Sequence, residues 1–278
     1  MRLSDIAPVV LRSLAEDLGR VGDVTSRAVV PEDASAFGNL RPRAPGVVAG
    51  LEAAGLAFEA VDEGVEYELL RSDGDRVGRG EVVASVEGPA RSILIAERTA
   101  LNLLGRMSGV ATATASFVDA VSDLGTEISD TRKTMPGLRA LDKHAVAAGG
   151  GVNHRMGLHD AVIIKDNHIA AAGGALRAVE AARRAVGPDM MVAVEVDRLD
   201  QLEEVLDTDA DRVLLDNMGL DALREAVNLV EGRMVTEASG GVTLDTVRSV
   251  AETGVDVISV GWITHSPPQL DIGLDFVS

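Results

Sequence analysis

No cysteine occurs among the 278 residues, which excludes disulfides, thiolate metal sites and cysteine nucleophiles together. No run approaches the roughly 20 apolar residues of a membrane-spanning helix. The opening stretch carries Arg2, Asp5, Arg12 and Glu16 where a signal peptide needs an uncharged core. The sequence therefore reads as that of a soluble, cytoplasmic protein. Lysine is almost missing: Lys133, Lys143 and Lys165 are the only three among 26 basic residues. Against them stand 44 acids, for a formal charge of −18. That sign is wrong for nucleic acid. Acid excess with little lysine suits a protein kept soluble in strong salt, so the composition points to a halophile's cytoplasm. What is present is core material: 46% of residues are hydrophobic, in a length that fits one large domain or two ordinary ones.

The three lysines cluster. Residues 128–168 hold six cations (Arg132, Lys133, Arg139, Lys143, Arg155, Lys165) against four acids, together with His144, His154, His159 and His168. Acidic selection should remove exposed lysines first, so a locally positive segment in this background suggests fixed cations around an anionic small molecule. A metal site built from His154, His159 and His168 is the competing reading. Spacings of five and nine match no familiar ligand pattern, and neighbouring cations would repel a metal.

The second half has a rhythm. Apolar, β-branched runs recur at 126–131, 161–165, 190–196, 211–216, 233–238 and 255–260, with helical periodicity between most of them. Such runs suit strands buried on both faces, which means a parallel α/β fold. Six strand signals, and no Gly-x-Gly-x-x-Gly fingerprint, favour a barrel smaller than the usual eight strands over a dinucleotide-binding sheet. The first hundred residues differ: a helix over 4–19, strands at 35–43 and 46–50, a helix over 51–62 and a hairpin region at 65–87. They form an α+β layer. A long helix from about 90 to 124, broken near Gly109, would join the two parts. The expected domains are 1–108 and 109–265, with the tail 266–278 returning to the first.

Polar residues end the successive strands, where they would converge on one mouth. Thr131, Arg132 and Lys133 follow the first. Arg offers a planar fork for carboxylate and Lys a point charge for phosphate. Gly149–Gly151 can bring backbone N–H groups near an anion ahead of His154 and Arg155. Lys165 ends the second strand, either as a Schiff-base nucleophile or as a charged anion ligand. Glu195 and Asp216 end the next two, hard oxygen ligands suited to Mg²⁺ carried by a polyphosphate. The Ser239-Gly240-Gly241 turn, before a helix expected near Thr243, and Ser259-Val260-Gly261 end the last two, where barrels often seat a phosphate. On the long helix Arg98, Asn102 and Arg106 share one stripe. These residues describe a carboxylate-bearing substrate beside a Mg²⁺–phosphate compound.

At these same positions the sequence resembles the quinolinate phosphoribosyltransferase family. The stretches are GDVTS at 22–26, ERTALNLLGRMSGVAT at 97–112, DTRKTMPGLR at 130–139, GGGVNHR at 149–155 and IKDNHI at 164–169. AVEVD at 193–197, LLDNM at 214–218, EASGG at 237–241, and ISVG with THS at 258–266 complete the series. The resemblance implies an N-terminal sandwich domain and an incomplete α/β barrel. It implies phosphoribosyl transfer from phosphoribosyl pyrophosphate to quinolinate with loss of CO2, giving nicotinate mononucleotide for NAD biosynthesis, with Mg²⁺ as cofactor. Arg98 would reach the neighbouring active site of a homodimer or higher oligomer and hold quinolinate with Thr131, Arg132, His154 and Arg155. Lys133, Lys165, Glu195 and Asp216 would be catalytic, the two acids on the ribose and metal side. Ser239, Gly240, Gly241, Ser259, Val260 and Gly261 would cradle the 5-phosphate. Three residues depart from the pattern: Met135 for Thr, His144 for Tyr, and Trp262 at a position normally small. The alternatives are a paralogue with another base substrate, a Schiff-base lyase using Lys165, and a non-catalytic sensor of phosphoribosyl pyrophosphate.

Overall fold

The computed structural model describes residues 2–277. The chain forms two compact units: residues up to Ala115 with Thr134–Gly150 and everything from Ile263 on, and Ser116–Lys133 with Gly151–Trp262.

In the first unit, α1 (Leu3–Leu18) buries Ile6, Val9, Val10 and Leu14 on one face and stops at Gly19. The helix α2 (Val24–Val29) starts where it does because the Asp23 carboxylate accepts from the Thr25 and Ser26 N–H groups at 2.9 and 3.0 Å. The GDVTS motif is therefore a helix cap. There follow β1 (Ser35–Pro42), β2 (Gly46–Val47), α3 (Leu51–Val61), β3 (Glu66–Leu69), β4 (Arg76–Val77), β5 (Ala84–Pro89) and α4 (Ala90–Val121). The segment 65–87 is not a single hairpin: β3 pairs with β5, while β4 pairs with β2. Nor does α4 break at Gly109. A Cβ there would run into the Pro268 carbonyl, so this glycine serves a close backbone approach and leaves the helix intact.

The rest of the chain supplies β6 (Glu127–Ser129), α5 (Arg139–Ala148), β7 (Val162–Ile164), α6 (Asp166–Ala172), α7 (Ala175–Val186), β8 (Val192–Val196) and α8 (Leu199–Leu206). After these come β9 (Arg212–Asp216), α9 (Leu220–Val230), β10 (Val235–Ser239), α10 (Val247–Ala251), β11 (Val257–Ser259), α11 (Trp262–His265) and β12 (Ile272–Phe276). Each of the six apolar runs read from the sequence falls on one strand, with β10 running one residue past its run to Ser239. They form one parallel sheet in the order β6-β11-β10-β9-β8-β7. Neighbours in the sheet are neighbours in sequence, and the last strand returns to the first through Ser259↔Ser129, which is barrel winding. No ladder among the described residues joins β6 to β7, although Val152 bridges to Ser129 at that edge. The barrel is therefore incomplete, with six strands. Its strands are buried almost continuously, as at Val192–Val194 and Val213–Leu215. In the first unit the tail strand β12 pairs antiparallel with β1, giving a sheet ordered β12-β1-β5-β3. The helix α5, interleaved in sequence among the barrel elements, belongs to this unit.

Candidate active site

Parallel register sets the strand ends in one row. Ser129, Ser259, Ser239 and Asp216 are successive partners across β6, β11, β10 and β9. Ile164 pairs with Val194, so one further residue brings Lys165 beside Glu195, and their side chains form a salt bridge. Lys165 keeps 47% of its side chain exposed. The half-buried Asp216 accepts from Ser239 Oγ and from Asn217 Nδ2, both at 2.7 Å.

The turn after β10 demands its glycines. Gly240 and Gly241 have φ of 96° and 63°, a region other residues avoid. A Cβ on Gly240 would also strike the Asn217 side chain. The helix expected near Thr243 begins instead at Val247, because Thr243 and Thr246 close a turn of their own, with Thr243 N–H donating to Thr246 Oγ1 at 3.0 Å. Two members of the expected phosphate set are already engaged. The Val260 N–H donates to the Ser129 carbonyl at 2.9 Å, and the Ser259 hydroxyl donates to Glu237.

The cationic side is carried by irregular backbone. Arg132 and Lys133 are exposed just after β6, in a turn where Thr131 Oγ1 accepts from the Lys133 N–H at 3.0 Å. Arg155 donates through Nη1 to the Ala161 carbonyl at 2.9 Å, while its Nε is buried with no hydrogen-bond partner. Burial first, and then the charge of Arg132, push the Arg155 pKa down. Two guanidinium groups repelling each other, with one donor buried and unanswered, fit an anion that would bind between them. The His154 N–H donates to the fully buried Asp130 at 2.8 Å.

Lys143 is buried on α5, so the cluster of lysines is not one site. Arg98, expected to serve the neighbouring copy, is exposed on α4. Arg106 is structural, bonded to Asp142 and the Thr264 carbonyl. Among the described residues no group of three or more His, Asp or Glu is placed to hold a metal, and His154, His159 and His168 are not gathered into one. Glu195 and Asp216 remain, and one or two carboxylates suffice for Mg²⁺ that arrives on a substrate phosphate. Of the departures, Trp262 sets its ring against Phe117 at 6.2 Å, and His144 bonds Asp73 at 2.7 Å. Sequence reasoning placed Glu237 at a strand end but gave it no role; it is 1% exposed on β10, with Arg212 Nη1 donating to it at 2.6 Å. The signal was available: Glu237 is a lone carboxylate in a buried strand, as Glu195 is.

Two family profiles cover almost the whole chain: the quinolinate phosphoribosyl transferase N-terminal domain over residues 23–108 and its C-terminal domain over 110–275. A Mycobacterium leprae nicotinate-nucleotide pyrophosphorylase (carboxylating) is 45% identical over 271 residues, covering 96% of this chain and 95% of that protein. A chloroplastic Arabidopsis thaliana protein of the same name is 44% identical over 288 residues, covering 97% and 82%. Among solved structures, the nicotinate-nucleotide pyrophosphorylase from Francisella tularensis aligns with a TM-score of 0.96 at 37% identity, covering 100% of this chain and 98% of that one.

Proposed function

This chain belongs to the quinolinate phosphoribosyltransferase family, and we propose that it transfers phosphoribose from phosphoribosyl pyrophosphate to quinolinate, with decarboxylation to nicotinate mononucleotide. The observation that carries the reading at the level of the site is Arg155. Its buried, unanswered Nε and its repulsion by Arg132 call for the carboxylates of such a substrate. Those two residues, with Thr131, fix the ring so that its nitrogen faces C1 of the ribose. The C1–pyrophosphate bond breaks as the N–C1 bond forms, through a state with positive charge on the ribose. Glu195 and Asp216 favour that charge, and Lys165 and Lys133 hold the anionic groups in place. The pyridinium ring so formed then takes the electron pair of the C2–carboxylate bond, CO2 leaves, and a proton replaces it. No general acid is required of the protein for the C–C cleavage.

Mg²⁺ would draw charge from the leaving pyrophosphate, with Glu195 and Asp216 as the side chains that hold it. The glycine turn at Gly240–Gly241 and Gly261 form the 5-phosphate cradle. The exposed Arg98 supports a homodimer in which each copy completes the other's quinolinate pocket. The formal charge of −18 supports a salt-rich cytoplasm. A Schiff-base role for Lys165 is disfavoured, since such a lysine needs a desolvated amine, whereas Lys165 is exposed and salt-bridged.

The test is CO2 release from quinolinate labelled at the 2-carboxylate, with phosphoribosyl pyrophosphate and Mg²⁺, at low and at molar KCl. Release that needs both substrates is expected, with activation by salt. Folded protein that stays silent at every salt would point to the paralogue or the sensor.

A further inference from the structure

Where β9 ends, the chain takes a conformation that needs a reason. Asn217, the first residue past Asp216, has φ of 55°, in the left-handed region that residues other than glycine seldom enter. Among the described residues only Glu231 shares this without being glycine, and Glu231 simply closes α9. Asn217 stands at the row of strand ends instead. Its N–H donates to the Ser239 carbonyl at 2.8 Å, which carries the β9–β10 pairing one step beyond the strand. Its side chain turns back on its neighbour, and Nδ2 donates to Asp216 Oδ2 at 2.7 Å.

Asp216 is therefore held from both sides. Ser239 Oγ donates to Oδ1, and the Asn217 amide donates to Oδ2. Each carboxylate oxygen has two lone pairs, so each keeps one for a ligand. Pinned in this way the carboxylate has one orientation, which is what a group facing a reacting ribose requires. The amide is held in turn. A carboxylate only accepts, so the amide presents its NH2 to Asp216 and its oxygen to the glycine turn. There Oδ1 lies against Gly240, where a Cβ would strike both Oδ1 and Cγ. Glycine at 240 thus serves twice, allowing φ of 96° and leaving room for this side chain.

We propose that Asn217 is a positioning residue for the phosphoribosyl pyrophosphate side of the site: wedged against Gly240, its amide fixes the Asp216 carboxylate toward the ribose. This rests on the phosphoribosyl transfer reading above and adds a residue to which that reading gives no part. An asparagine that merely suited a left-handed turn would be replaceable by glycine without loss.

The experiment compares the parent, Asn217→Gly, Asp216→Ala and the double variant by calorimetric titration and thermal melting. Phosphoribosyl pyrophosphate with Mg²⁺ is titrated in one series and quinolinate alone in another. Glycine accepts the left-handed backbone, so only the amide is lost. Phosphoribosyl pyrophosphate should bind Asn217→Gly about tenfold more weakly, the loss of one hydrogen bond to a charged group. Quinolinate binding should change less than about twofold, since its cations lie on other strands. In the Asp216→Ala background the same change should add less than about twofold, because the carboxylate it orients is gone. Unchanged phosphoribosyl pyrophosphate binding by Asn217→Gly would overturn the proposal, as would equal loss for both ligands. A full further loss without Asp216 would show Asn217 touching the ligand itself and overturn it too. So would a variant that fails to fold, which would make Asn217 a residue of the fold alone. A parent that binds phosphoribosyl pyrophosphate yet releases no CO2 overturns only the transfer reading, since the titrations still decide this one. A parent that does not bind it overturns both.

Discussion

The positive stretch 128–168 divides between the two units, and its two portions use charge in opposite ways. The portion at 134–150 joins the first unit, where Asp142 is fully buried against Arg106 at 3.0 Å, Lys143 is 2% exposed, and His144 bonds Asp73. The flanking portions join the barrel unit, where Arg132, Lys133 and Lys165 are exposed. Composition is alike on both sides. Burial separates the charges locked in the fold from those left accessible at the surface, because a buried ion is tolerable only with its partner in place.

The largest effect should come from breaking the buried side of this contrast. Asp142→Ala would leave Arg106 desolvated, and a loss of about 3–5 kcal/mol is expected by denaturant titration. The double change Arg106→Met with Asp142→Leu should recover most of it, since a buried pair often does no better than apolar residues of similar size. If the single change lost under about 1 kcal/mol, the pair would not be the architectural element its burial suggests.

The exposed pair should behave in the reverse manner. Lys165→Ala removes an ion pair worth about 0–1 kcal/mol to stability. It should nevertheless lower kcat/KM about 100-fold or more, if the lysine stabilises developing charge. A melting temperature that falls with activity preserved would place Lys165 on the structural side of the comparison. Arg132→Ala should do less: quinolinate binding weakened about 30-fold, some 2 kcal/mol, with phosphoribosyl pyrophosphate binding kept. Calorimetric titration with each ligand checks it, and equal loss of both would mean that Arg132 serves another group.

The same contrast explains what the sequence could disclose. Strand runs such as 190–196 and 211–216 were legible because a strand buried on both faces has to be apolar throughout, and the carboxylate at its end then stands out. The break assigned to Gly109 failed because a glycine admits two physical reasons, flexibility or close approach, and only the position of Pro268 selects between them. The helix placed at Thr243 failed for a related reason, since the two threonines cap a turn as readily as a helix. Lys143 was grouped with Lys133 and Lys165 by proximity in sequence, yet α5 takes it into the other unit. Glu237 was passed over because its partners Arg212, His154 and Ser259 come from three separate segments, and no spacing along the chain reveals such a meeting.

The smallest effect concerns His144, the departure from family pattern in the first unit. Asp73 accepts from the Gly50 and Leu51 N–H groups at 2.9 and 3.1 Å, capping α3 from outside the helix, and His144 bonds the same carboxylate. Burial works against the Asp73 charge, but His144 and the two N–H groups outweigh it and hold the carboxyl below its ordinary value. A carboxyl with a depressed folded pKa contributes stability that is present above its unfolded value, about 3.9, and lost as pH falls below it. Asp73→Asn should therefore cost about 1 kcal/mol near neutral pH, the usual loss for an impaired cap. The gap in melting temperature between parent and variant should close as pH drops through the region below 4. Pairing the two melts at each pH cancels the titration of the other acids. A gap that stays constant across that range would show that hydrogen bonding geometry, not charge, holds the cap, and that the histidine at 144 adds nothing the amide cannot replace.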